Sequence, residues 1–121
     1  MSSTETQPRE TVDLAFDPQF CEALLEGDKT STIRYGLWGP PGVGNRLRLL
    51  NADSREEIGT STVEQVRRRQ AYDLARNGMA GHYEYDDVEA LLSAMQQYYP
   101  EANLTPETWF TVVHWGNVDI A

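Results

Sequence analysis

The sequence predicts an α+β domain, with about five short strands forming a small barrel and helices packed outside it or plugging one end. Three observations predict it. Short segments of alternating apolar and polar residues recur at 12–16, 46–50 and 57–68. One long segment, 86–99, carries instead the period of an amphipathic helix. Breaks rich in Gly, Pro, Asn and Asp separate these segments.

Each element has a local reason. Residues 12–16 alternate as a strand does. Asp17-Pro18 then opens a helix, since Asp caps an N-terminus and Pro is tolerated at the first helical position. Phe20, Cys21, Leu24 and Leu25 lie on one face, and Gly27 stops the helix. Residues 30–35 are rich in β-branched side chains and read as a strand. A Gly/Pro loop spans 36–44. A strand follows, with Leu47 and Leu49 on one face and Arg46 and Arg48 on the other. Residues 51–54 turn the chain into the 57–68 strand. Residues 71–76 form a short helix, ended by Asn77-Gly78. In the 86–99 helix, Val88, Leu91, Leu92, Met95 and Tyr99 share a face, and Pro100 terminates it. Residues 109–115 are apolar on both sides, which predicts a central, buried strand.

The chain of 121 residues suits one domain with one core. Residues 1–10 read as a disordered tail and 11–121 as the domain. No apolar run is long enough to span a bilayer, and the polar N-terminus lacks the regions of a signal peptide. Cys21 stands alone, so neither a disulfide-linked partner nor a Cys-based zinc site is expected. A reducing cytoplasm fits best. The net charge is -9, and the basic residues are nine Arg and a single Lys. This acid excess, poor in Lys, is expected of a halophilic, haloarchaeal chain, since high salt screens carboxylate repulsion.

Gly39-Pro40-Pro41-Gly42-Val43-Gly44 looks like a phosphate-binding loop. Asn45 and Arg46 stand where its Lys and hydroxyl residue belong, and a strand follows where that loop needs a helix. Nucleotide binding there is not expected.

The segment 27–34 is more informative. It places the only Lys, Lys29, just after a helix stop and ahead of Thr30, Ser31, Thr32 and Arg34. A buried Lys can lose its proton near neutral pH, and an Arg cannot. A solvated turn lysine is the plain alternative.

Gly27-x-Lys29-x-x-Thr32-x-Arg34 resembles the signature of the ASCH domain, a PUA-like β-barrel family. The similarity extends over most of the chain, through Gly44, Leu47 and Leu49, the strand ending at Val63, Tyr99-Pro100, and Val113-x-Trp115. Asn45 departs from the acidic residue that many members carry there. The resemblance implies a barrel of about five to six strands with two or three flanking helices. It also implies binding of RNA or a nucleoside. One branch of small members hydrolyses N4-acetylcytidine to cytidine and acetate. That resemblance maps the catalytic groups to Lys29, Thr32 and Glu84, with Asp86 and Asp87 as rivals for the acid. No cofactor is implied.

Chemically, Thr32 would attack the amide, neutral Lys29 would take its proton, and Glu84 would protonate the leaving amine or orient a water. Arg34 would hold a base carbonyl or a phosphate, with Thr30 on the same face. One tension is geometric: residues three apart on a regular strand face opposite sides, so Lys29 meets Thr32 only from a turn or across a bulge. Trp38, Tyr83 and Tyr85, in loops, are candidates to stack on a base. Arg46, Arg67 and Arg68, with Arg69, are candidate RNA contacts. Trp109, Phe110 and Trp115 are expected in the core, and His114 packed in its strand. His82 and Glu84 lack a third metal ligand at telling spacing, so no metal is expected. A non-catalytic RNA-binding module and a metal-independent ribonuclease remain open readings.

Overall fold

The computed structural model describes residues 11–37, 41–77 and 87–121. The expected tail at 1–10 lies outside the described residues. Within them the order is β1 (Thr11–Phe16), a 3-10 turn (Pro18–Phe20), α1 (Cys21–Glu26), β2 (Ser31–Arg34), β3 (Arg46–Asn51), β4 (Glu57–Gln70), α2 (Ala71–Asn77), α3 (Val88–Tyr98), β5 (Trp109–Trp115) and β6 (Asp119–Ile120). The spatial strand order is β1-β3-β4-β5-β2, with β6 beside the start of β4. β1 runs parallel to β3, and the other neighbours are antiparallel.

β4 makes the curvature. Its first half pairs with β3 and its second half with β5, and the register shifts between Val63 and Gln65. A bulge strengthens the local twist and bends the strand. The sheet curls until its two edge strands lie within side-chain reach. Arg34 on β2 donates from Nη2 to the Ala15 carbonyl on β1 at 2.7 Å.

β5 is covered on both faces, because alternate residues enter different cores. Val113 and Trp115 pack with Leu14, Phe16, Leu24, Leu47 and Leu49. Phe110 and Val112 pack with Ile33, Leu74, Leu91 and Met95. Trp115 meets Phe16 edge-on at 5.7 Å, and its buried indole N–H has no acceptor among the described residues. Trp109 corrects its expectation. It is 50% exposed, because it begins the strand opposite Gln70, at the end of the β4–β5 pairing.

The helices follow their caps. Asp17 accepts from the Gln19 N–H at 3.1 Å with Pro18 next, but this first turn is 3-10 and the α-helix starts only at Cys21. Leu24 is buried while Leu25 is 41% exposed. Leu24 joins the core, and Leu25, about 100° further round the helix, stays outside it. Asp87 caps α3 through the Ala90 N–H at 2.9 Å, and α3 buries Leu91 and Met95. β6, with two residues, is too short to show a period in sequence. It approaches so closely that a Cβ on Gly59 would lie 2.5 Å from the Asp119 carbonyl oxygen. No described helix is long and apolar enough to cross a membrane.

Candidate functional site

Lys29 enters the site from a turn. Gly27 takes a left-handed conformation, φ 81°, and the N–H groups of Asp28 and Lys29 both bond to the Ala23 carbonyl at 3.0 and 3.1 Å. A Cβ at Gly27 would meet nothing, so it is the positive φ that favours glycine. β2 begins only at Ser31, so Lys29 precedes the strand's alternation. The geometric tension is thereby resolved by the turn. Lys29 shares a cavity with Thr32 and Arg34, which project from one face of β2.

This cavity has a volume of about 420 Å³, between the edge strands and the C-terminal end of α3. Phe16 and Phe20 line one part, and Tyr98 and Tyr99 another. Lys29 is 5% exposed. Its Nζ lies 4.9 Å from the Phe20 ring centre and 5.9 Å from that of Phe16. It has no carboxylate partner among the described residues, where ion pairs join Arg48 to Asp13 and Glu57, and Arg69 to Asp73. Burial first, and then the like charge of Arg34, lower its pKa to about 8.

Arg34 organises the other half. Its Cζ lies 4.8 Å from the Phe16 ring centre, so two cations share one aromatic ring. Its Nε donates to Thr32 Oγ1 at 3.1 Å. Burial pulls its pKa down, opposed by Tyr99 and then Tyr98, and a guanidinium so placed keeps its charge at neutral pH. The bond leaves the Thr32 hydroxyl proton free to be given away, while a cation faces the oxygen that would hold the resulting charge. The Tyr99 hydroxyl accepts from the Tyr35 N–H at 3.2 Å, and the two rings meet edge-on at 5.6 Å. That contact ties the end of α3 to the end of β2.

The remaining expected residues divide. Thr30 is half-buried and does not line the cavity. Trp38, His82, Tyr83, Glu84, Tyr85 and Asp86 lie outside the described residues. Asp87 uses its carboxylate to cap α3. Arg46 lines a separate hollow with Glu64 and Asp119. Arg67 and Arg68 line a third site, with Trp109. The structure therefore brings Lys29, Thr32 and Arg34 together and leaves the three arginines elsewhere. His114 is half-buried on β5. Among the described residues, no group of three His, Cys, Asp or Glu side chains is placed to hold a metal. The phosphate-loop resemblance ends at Gly44 and Asn45, whose backbones bond to Val63 as they enter β3. Sequence reasoning missed Phe16, Phe20, Tyr98 and Tyr99 as cavity walls. The paired tyrosines before Pro100 were the one available signal.

Curled sheet, flanking helices and a cavity at the seam together define an α+β domain with the PUA-like fold of ASCH proteins. Solved structures with this fold come from several bacteria. A protein from Enterococcus faecalis matches with a TM-score of 0.72 at 12% identity, covering 95% of this chain and 83% of that one. The ASCH protein of Zymomonas mobilis matches at 0.64 and 17%, covering 93% and 71%. An ASCH domain from Lactobacillus crispatus matches at 0.65 and 14%, covering 98% and 85%. By sequence, no family model and no curated protein matches.

Proposed function

We propose that the cavity is an acyl-transfer site that removes the acetyl group from an N4-acetylated cytosine, with N4-acetylcytidine as the model substrate. One observation carries this reading. A lysine shielded from water, with a pKa of about 8, shares a cavity with a hydroxyl whose oxygen already accepts from a guanidinium. Neutral Lys29 takes the Thr32 proton as Oγ1 bonds to the acetyl carbon. The C–N4 bond then breaks, and the departing amine takes the proton back. Water next cleaves the acetyl–threonine ester, giving acetate and free Thr32. Arg34 stabilises negative charge on oxygen in both steps. Tyr98, Tyr99 and Phe20 supply faces for the base. Glu84 is the candidate group to orient the water that cleaves the ester.

A binding module is the second reading. It is favoured by the lack of a carboxylate partner for Lys29 among the described residues, since two unpaired cations also suit a phosphate or a base carbonyl. Incubation with N4-acetylcytidine in molar KCl, following cytidine release, separates the two. The hydrolase reading expects release that Lys29→Arg abolishes while binding persists. Release no greater than that of a Lys29→Ala control sinks it and leaves the binding module.

A further inference from the structure

We infer that the Lys29 cavity has a second chemistry: its amine forms an imine with a small α-oxo carboxylate, whose carboxylate Arg34 holds. The inference rests on the cavity and not on the hydrolase reading.

Unpaired charge is the first reason. Lys29 is 5% exposed and Arg34 is half-buried. Buried cations are ordinarily paired. Neither of these has a carboxylate partner among the described residues. Both lie against one ring, with Nζ 5.9 Å and Cζ 4.8 Å from the centre of Phe16. Two bonds fix the guanidinium, from Nε to Thr32 Oγ1 and from Nη2 to the Ala15 carbonyl. Nη1 bonds to no described residue and is left for a ligand. An anion held there supplies the missing counter-charge.

The amine is the second reason. A lysine forms imines with carbonyl compounds when an apolar pocket or a neighbouring cation keeps it neutral. Both conditions hold at Lys29. Phe20 lies 4.9 Å from Nζ, and burial first, then Arg34, lower the pKa to about 8. A plain anion would satisfy the charges and leave this amine unused. An α-oxo acid carries its carboxylate one bond from its carbonyl, so one small molecule reaches two groups that share a ring. The amine nitrogen bonds to the carbonyl carbon, and the carbonyl oxygen takes a proton from nitrogen. The C–O bond then breaks, and the oxygen leaves as water with a second proton from nitrogen. A C=N bond remains, and no oxidant or reductant takes part.

A structural cation–π contact is the simpler explanation of Lys29. It accounts for the amine beside Phe20 and leaves Arg34 unexplained, since a second cation on the Phe16 ring disfavours the first. Two carboxylates, Asp17 and Asp53, also line the cavity. Asp53 is exposed, and Asp17 is half-buried and accepts from the Gln19 N–H. Water screens exposed carboxylates more than buried cations, so the inner charges set the preference for an anion.

Lys29 is the only lysine of the 121 residues. The α-amine is therefore the one other primary amine and serves as an internal standard. The protein is incubated with glyoxylate and sodium cyanoborohydride, which reduces an imine to a stable secondary amine. The pH is that at which Lys29 is half neutral, about 8. The KCl is that at which circular dichroism shows the chain folded. Peptide mass mapping counts the carboxymethyl group on each amine. Lys29 is expected to react about tenfold faster than the α-amine, as a positioned group does. Unfolding in urea abolishes that preference. Glycolaldehyde, which has the carbonyl without the carboxylate, shows little of it. Arg34→Gln, checked for folding by thermal melt, loses the advantage of glyoxylate over glycolaldehyde. Thr32→Ala, which lacks the nucleophile of the hydrolase reading, still gives the Lys29 adduct. The inference is overturned if Lys29 reacts no faster than the α-amine, or if glycolaldehyde shows the same preference. It is also overturned if folded Arg34→Gln keeps the advantage. Cytidine release without the adduct sinks this inference alone, and the adduct without release sinks the hydrolase reading alone.

Discussion

Lys29 and Arg67 carry the same formal charge in opposite surroundings. Lys29 sits in a cavity walled by aromatic rings, beside a second cation and with no described carboxylate partner. Arg67 lies exposed in the open groove that it lines with Trp109, against the neutral side chain of Gln65. In the cavity the charge costs free energy and the proton becomes easy to lose. At the groove water screens the charge, and it remains a standing attraction for anions. The difference teaches that burial more than residue type separates a candidate base from a candidate phosphate contact. The chain's Lys usage is consistent with this, because only an ammonium can be tuned this way.

The largest expected effect breaks the comparison at the cavity. Lys29→Ala lowers kcat/KM for N4-acetylcytidine by roughly 10³-fold, the usual scale for losing a positioned base. Arg67→Ala leaves it within about twofold, because it touches a different site. Steady-state cytidine release measures both.

Next is stability. The pKa of Lys29 is about 8 when folded, against an ordinary 10.5. A lowered folded-state value means that the charged form is penalised. The penalty is full below pH 8 and is relieved as pH rises from 8 to 10.5, where the unfolded chain holds the proton more tightly. Its size is about 3 kcal/mol at most. Lys29→Met therefore stabilises the fold at pH 7 by up to that amount, and the gain shrinks near pH 10. Urea unfolding at the two pH values checks this.

The pH profile sharpens the same contrast. The hydrolase reading needs neutral Lys29, so kcat/KM rises with pH through a midpoint near pH 8 and levels off about one unit above it. Arg34→Gln removes one of the two causes of the lowered pKa, and the midpoint moves upward. An unmoved midpoint would show that Lys29 is not the titrating group. The smallest effect belongs to the groove. Arg69 and Asp73 are each about one-third exposed at 3.0 Å. Arg69→Met costs less than about 1 kcal/mol, because water screens the pair. Thermal melts in low and high salt test this, the difference fading as salt rises.

Much of the fold was legible because it is local. The span of β5 agrees with the 109–115 run, since a strand covered on both faces must be apolar throughout. The stripe of α3 needed only the helical period. The turn at Gly27 was legible from the glycine. Less legible were the 3-10 start before α1, β6, and the exposure of Trp109 and Leu25, which depend on where neighbouring elements end. At the site, Lys29, Thr32 and Arg34 could be read from one octet. Phe16, Phe20, Tyr98 and Tyr99 could not, because they come from two other stretches of chain, 16–20 and 98–99, which only the fold brings to the octet.

By itself the sequence determined the element types, the special lysine and the absence of a true phosphate loop. Periodicity, capping and glycine conformation act over a few residues, and the chain carries them in linear order. Only the tertiary structure decided that β1 and β2, at opposite ends of the strand order, meet across a seam closed by Arg34 and Ala15. The bend at Val63 to Gln65 accomplishes this. It brings two distant strand edges to one cavity, and the burial of Lys29 there lowers its pKa.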